Sequence, residues 1–507
     1  MKRKSHALAT FVLALSLIAP AQFARAQDNT EITIVGWTEP DTLDPCETAH
    51  AAISLVSKNN INETLIDRNG ETGELTPRLA TSWEMVDDRT WRIKLREGVS
   101  FTDGAPFNAD AVVFSIKRGM RQEEFNCSVS QKSFTSFKLT AEAVDEYTVD
   151  ITSDLPAPIL HLGFAIYPMM SPNTDMNTLT RSPVGTGPYV LKEWISGTRI
   201  VLERNPDYWG EQPEISQATY VFRNEPSVRA AMVAAGEADI ALEITEQDAT
   251  NPATDFAYPN TETTWLRPDD RFEPLSDVRV REAMALSIDR EAMLGTVLPK
   301  DTRLAAQLPG PSIDGYNPDI QQRPYDPERA RQLLAEAAAD GVKVDTPIRF
   351  LGRIGVFANA EEVMQVVTQM INQVGFNVSL EMMERARHAN FQARPFPEDV
   401  GPNINLIMSD NNRGDASFGL FNHHSKGNQS ATYTHPELDA LIDRAITLTG
   451  KERTTALQAV NAYVHDHTVI IPLFYMVSFA RVSERLKWVP NDETSSQLII
   501  QRIRFAD

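Results

Sequence analysis

The chain has 507 residues, with 48 Lys and Arg against 69 Asp and Glu, for a formal net charge of −21. So acidic a surface argues against nucleic acid or an anionic membrane as partner. The length calls for two or three domains rather than one core.

The first residues, MKRKSHALATFVLALSLIAPAQFARAQ, have the form of an export signal. Lys2, Arg3 and Lys4 give a basic start, Ala7 to Ala19 an apolar stretch, and Ala24-Arg25-Ala26 a small-x-small cleavage site. The apolar stretch falls short of the roughly 20 residues that span a bilayer. No cysteine stands at the expected cut, so the expectation is a free periplasmic protein of a two-membrane bacterium, without a lipid anchor. The chain has two cysteines, Cys46 and Cys127. An even count in an oxidising compartment favours a disulfide, with two buried free thiols as the alternative.

Helices and strands then interleave, which predicts an α/β protein. Asn108 caps ADAVVFSIKRGM, and Asp326 with Pro327 starts ERARQLLAEAAAD, which Gly341 ends. Asn359 with Glu362, and Thr434 with Glu437, have capping-box spacing. Alternation in TWRIKLREGV puts Trp91, Ile93 and Leu95 on one strand face, and EYTVDITSD does so with Tyr147, Val149 and Ile151. The apolar Thr468–Ala480, broken by Pro472, reads as a buried strand pair. No linker separates domains, so the chain is expected to cross between them on ordered strands.

Catalytic and metal motifs do not emerge. His465 and His467 point to different sides of a helix. His423-His424 reads as part of a solvated polar loop, and Asp87-Asp88 and Asp269-Asp270 as surface turns. GTGPY at 185–189 lacks the last glycine of a dinucleotide loop, and no P-loop, G-x-S-x-G elbow or H-E-x-x-H is present. Neither a cofactor nor a metal is expected.

Several ordered segments carry a resemblance. They are TLDPC at 42–46, LATSWEMVDDRTWRIKLREGVSFTDGAPFNADAVVFSIKR at 79–118, PVGTGPYVLKEW with LERNPDYWG, GEADIAL at 236–242, DVRVREAMALSIDREAML at 277–294 and YDPERARQLL from Tyr325. In this order they resemble the extracytoplasmic solute-binding proteins of the peptide/opine/nickel family, which feed ATP-driven importers. The resemblance implies a two-lobe, type II-like α/β binding-protein fold with a subdomain inserted in the first lobe. The implied division is lobe I at 27–65, 182–263 and 478–507, the inserted subdomain at 66–181 and lobe II at 264–477. It further implies capture of a small zwitterionic or amino-acid-derived solute, such as a short peptide or opine, by hinge closure of a monomer that delivers it to an inner-membrane permease. An oligosaccharide or metal chelate as cargo, or an exported hydrolase, are the alternatives.

By the same resemblance three segments face the cleft. In the first, Trp37, Glu39, Thr48 and His50 are candidates. The second holds Trp265 and Arg267. In the third, Arg353 matches the place of an arginine that meets a ligand carboxylate in peptide-binding relatives, and Asp410 that of an aspartate that meets the ammonium. Asn411 and Arg413 lie beside Asp410, where the family's W-x-x-D-x-x-D-P pattern is altered. The glycine–proline segment 182–188 is implied to return the chain to lobe I. Gly185 and Gly187 are expected there for their backbone freedom, with Tyr208 and Trp209 packing as anchors.

Overall fold

The computed structural model describes residues 30–506 apart from 135–136, 358, 412, 427, 429 and 433–434. The export signal and the Thr434 cap therefore lie outside the described residues. An eleven-stranded mixed sheet runs through both lobes of the α/β fold. On one side Glu31–Gly36 pairs in parallel with Gln217–Phe222 and Ile240–Ile244. On the other, Ile348–Arg353 pairs in parallel with Val378–Met383 and Asn403–Asp410. Parallel neighbours need a crossover, and helix Ala360–Gln373 supplies one in the second lobe.

Two long strands join the halves: Asp255–Pro268 and Ile471–Val482, antiparallel to each other. Thr468–Ala480 thus contributes one strand, not a pair, because the residues around Pro472 stay paired with the neighbouring strand. The ladder slips twice, between Pro259 and Thr263 and between Thr264 and Trp265, where Pro472 is opposite. A proline has no N–H to give a ladder, so each slip falls beside one. The first slip leaves Asn260, Thr261 and Glu262 out of register with the partner strand, at the place where the chain crosses between lobes.

Separate cores surround this frame. One, with a four-stranded antiparallel sheet, gathers apolar residues between Cys46 and Met170, including Trp91, Ile93, Leu95, Val149 and Ile151. A second packs Ile32, Ile34, Tyr189, Tyr220 and Val482. A third packs the helices Val278–Leu286, Pro327–Ala339 and Ala360–Gln373 against the far strands. Cys46 and Cys127 form a disulfide.

Local expectations fare unevenly. Asn108 and Asp326 cap their helices through the side chain, and Gly341 and Gly375 follow helix ends at positive φ. Asn359 does not cap: it sits at φ 60 with no side-chain bond to the helix. Gly185 and Gly187 are needed for closeness rather than for unusual angles. A Cβ on Gly185 would lie 1.8 Å from the Ile61 carbonyl oxygen, and one on Gly187 2.4 Å from that of Asn60. Tyr208 and Trp209 do anchor this corner, both donating to Glu63 at 3.0 and 2.8 Å.

Two polar pairs expected at the surface are not there. Asp269 is buried, accepting from Arg271 and Asn403. His423 and His424 end helix Ser417–His424 and pack on the indole of Trp265 at 4.8 and 6.4 Å. Helix formation turns both imidazoles inward, although the flanking residues are polar.

Candidate functional site

Between the lobes lies a cavity of about 520 Å³, floored by the slipped residues Asn260, Thr261 and Glu262. Trp37, Thr48, Ser54, Lys58, Arg229, Glu243 and Ser478 reach it from the first lobe and the crossing strands, Lys132 from the subdomain and Asp410 from the second lobe. A second chamber of about 500 Å³ shares Glu243, Asn260, Glu262 and Ser478 with the first. One part of its wall is apolar, with Val356, Phe357, Met408, Phe474, Met476 and Phe479, and another is polar, with Thr245, Glu246, Gln247 and Thr302.

Charge in the main cavity is unevenly distributed. Glu262 and Asp410 sit directly opposite each other on neighbouring strands. Like charges so placed repel. Burial raises the Glu262 carboxyl, with Asp410 and Glu243 adding to the rise and Lys132 and Arg353 opposing it. Burial likewise raises Glu243, which accepts from Tyr258 at 3.2 Å and Ser478 at 3.3 Å. Glu243 is also held at φ 53. A left-handed conformation is costly for such a side chain and is typical of a position fixed by its surroundings. Asp410 accepts from Thr261 at 3.1 Å and pairs with Lys132 at 3.0 Å.

The cationic side differs group by group. Arg229 donates to the carbonyls of Leu242, Arg223, Asn224 and Glu243. Lys58 is only 8% exposed, and burial pushes its ammonium down to about 8, a fall that Glu493 partly opposes. An acidic corner and a cationic group in one open cleft between lobes are suited to holding a small molecule with both charges.

Among the residues singled out from sequence, Trp37, Thr48 and Asp410 line this cavity. Glu39 does not; its carboxylate accepts from Trp194 Nε1 and the Gly197 amide, both at 2.7 Å. His50 is exposed beside Glu47. Trp265 lies wholly inside the second lobe, donating to Ser409 Oγ at 3.0 Å. Arg267 is buried and donates to the carbonyls of Phe391, Gln392 and Ser430. Asn411 is buried, bonds Thr263 Oγ1, and lines a separate chamber of about 320 Å³ beside the cavity. Arg413 stacks on Phe418 and donates to the Lys132 carbonyl at 2.8 Å. Arg353 ends its strand half-buried, outside the lining of the cavity.

Lys58, Lys132, Arg229, Glu243 and Glu262 were not anticipated. Lys58 had one sequence signal, a charge set directly after the apolar AAISLVS and before three asparagines within KNNIN.

Residues 74–429 match the family described as bacterial extracellular solute-binding proteins, family 5. The chain belongs to that family. It is 27% identical over 465 residues to heme-binding protein A of Haemophilus influenzae, covering 85% of this chain and 84% of that protein. It is 30% identical over 369 residues to the dipeptide-binding protein of Escherichia coli, covering 66% and 68%. Among solved structures, HbpA2 from Haemophilus parasuis superposes with a TM-score of 0.82 at 21% identity, covering 94% of this chain and 100% of that one.

This family 5 member is therefore a solute-binding component of an ABC importer, working with a small solute and a membrane permease, and not an enzyme. No helix among the described residues is long and apolar enough to cross a membrane.

Proposed function

We propose that this protein captures a small zwitterion, a short peptide or related amino-acid derivative with an apolar side chain, by closing its two lobes around it. The observation that carries this reading is the cavity's charge arrangement. Glu262 and Asp410 face each other in an acidic corner that Lys132 offsets only in part by pairing with Asp410, and Lys58 enters the same space from the first lobe. A dipeptide's ammonium relieves the repulsion in that corner, its carboxylate meets a cation, and an apolar side chain fits the adjoining chamber. The similarity to a dipeptide-binding protein supports the same class. Haem ordinarily takes an axial His, Cys, Met or Tyr. The described lining of the main cavity holds none of these, although Met408 and Met476 line the adjoining chamber, so haem stays among the solutes to be tested.

In this reading Trp37, Thr48 and Asp410 are ligand contacts, and the lobe boundaries are those expected from the sequence, supported by the separate cores. The protein is exported by its cleaved signal and acts in the periplasm as a monomer without nucleic acid. Closure turns on the two crossing strands at the Asn260–Glu262 slip. A thermal-shift screen tests the proposal with dipeptides, opines, oligosaccharides, haem and metal chelates. A solute that binds only the folded state adds about 4 kcal/mol at a thousandfold excess over its Kd. Dipeptides should give the rise; a rise confined to another class rejects the zwitterion reading.

A further inference from the structure

Helix Ala51–Ser57 ends in the segment Lys58–Asn62, which is buried throughout. Its asparagines are engaged: Asn59 bonds Gln497 and Thr64, Asn60 the Leu498 carbonyl, and Asn62 the carbonyls of Met169 and Val184. The Lys58 main chain is held as well, its N–H donating to Ser54 at 3.0 Å. Its ammonium differs from these neighbours. It lines the cavity with no hydrogen-bond or ion-pair partner among the described residues. Acidic groups influence it from a distance, but each has its own cation. Glu493 is paired with Arg502 at 2.9 Å, and Asp67 with Arg78 and Arg502 at 3.0 and 2.8 Å. Lys132 and Arg78 oppose its charge. The side chain is buried and its ammonium opens only onto the cavity, and a charge so largely withdrawn from water without a partner is unfavourable. A rigid frame that nonetheless aims one into a cavity is poised for an anion from outside.

We propose that Lys58 is the specificity-determining contact for an anionic group of the cargo, a carboxylate bound in the first lobe. This rests on the cavity being the solute site, and it moves the anion-reading role away from Arg353 in the second lobe. Of the cavity's other cations, Lys132 already has Asp410 and Arg229 already has four carbonyls. A carboxylate bound at Lys58 is shielded from water and gains a charge-assisted bond.

Calorimetry on the mature chain tests the inference with Leu-Phe, its C-terminal amide and N-acetyl-Leu-Phe, against wild type, Lys58→Met and Lys58→Arg. Wild type should bind the free acid roughly thirtyfold or more tightly than the amide. Lys58→Met should lose that factor and no longer distinguish acid from amide, while Lys58→Arg restores part of it. An acid-to-amide ratio unchanged in Lys58→Met overturns the role of Lys58 and leaves the zwitterion reading standing. Lys58-dependent binding of the N-acetyl acid without binding of Leu-Phe does the reverse. Failure of all three probes on wild type overturns both. Should Lys58→Met not fold, NMR of wild-type protein with methylated lysines decides: the Lys58 titration must move upward when Leu-Phe binds, and a fixed titration rejects the proposal.

Discussion

Lys132 Nζ stands 3.0 Å from Asp410 Oδ2, tying the subdomain to the second lobe within the lining of the cavity. Arg413 reinforces the contact by donating to the Lys132 carbonyl, and Arg68 reaches the Ser312 carbonyl at 2.9 Å nearby. The lobes thus already touch through polar groups that line the cavity or lie near it.

Such a latch is weak, because both side chains remain about a third exposed. Half-solvated pairs contribute about 0–1 kcal/mol. Lys132→Ala should therefore shift the ligand-free balance toward open forms by no more than about fivefold. Small-angle scattering at low salt should give a larger radius of gyration for the variant. At ~1 M salt, where the screening length is about 3 Å, wild type and variant should coincide. Identical radii at every salt concentration would show that the pair does not hold the lobes.

Glu63 accounts for the glycine–proline segment. It is fully buried and accepts from Arg78 and Tyr208 on one oxygen and from Thr186 and Trp209 on the other. Removing one partner of a buried ion pair costs about 3–5 kcal/mol. Glu63→Gln should lie near the low end, since Arg78 keeps Asp67 at 3.0 Å. Gly185→Ala should cost about 3 kcal/mol or more, because its Cβ would meet the Ile61 backbone, which cannot swing aside as a side chain can. Urea midpoints measure both, and ligand affinity in the folded fraction should stay near wild type.

What could be read from the chain divides along physical lines. Local periodicity and capping chemistry are short-range, so the strand faces around Trp91 and Val149 and the caps at Asn108 and Asp326 were readable. Asn359 has the right spacing for a cap but a left-handed backbone, which spacing does not encode. The site is assembled from positions as distant as Lys58 and Asp410, and no local pattern distinguishes a lysine aimed into a cleft from one in solvent. Trp265 and Arg267 occupy a cleft-facing segment by resemblance, yet strand alternation and the Phe391 carbonyl draw them into the second lobe.

The buried imidazoles predict acid sensitivity. Burial lowers His424 to about 3 and His161 to about 4, from an ordinary value of 6.5. Between those values the unfolded chain binds protons that the folded one does not. Stability is therefore complete above pH 6.5 and is lost as pH falls toward 3–4. Each group contributes up to about 1.36 kcal/mol per pH unit within its window. Urea unfolding between about pH 7 and 4 should show this slope. His424→Leu should flatten it, whatever its effect on stability at neutral pH; an unchanged slope assigns the acid loss to other groups.

Lys58 makes the converse prediction for binding. Its ammonium titrates at about 8 in the ligand-free fold against 10.5 for an unperturbed lysine. Between these values the unfolded chain holds the extra proton, so the strain on the empty protein is full below pH 8 and fades as pH rises toward 10.5. A bound carboxylate favours the charged form, so the complex retains the proton that the empty protein releases. Affinity should then be greatest below pH 8 and fall above it, by at most about tenfold per pH unit. The peptide's own α-ammonium titrates near 8 as well, and it weakens binding to any variant alike. Lys58→Arg separates the two effects, because a guanidinium stays charged throughout this range. The ratio of Kd for wild type to Kd for Lys58→Arg, measured with Leu-Phe by calorimetry, should climb from about pH 7 to 10. The nearby Glu493 and Asp67 are carboxylates, and Lys132 and Arg78 are present in both proteins, so none of them separates the two curves. A ratio that stays constant over that range removes the Lys58 ammonium from the solute's binding site.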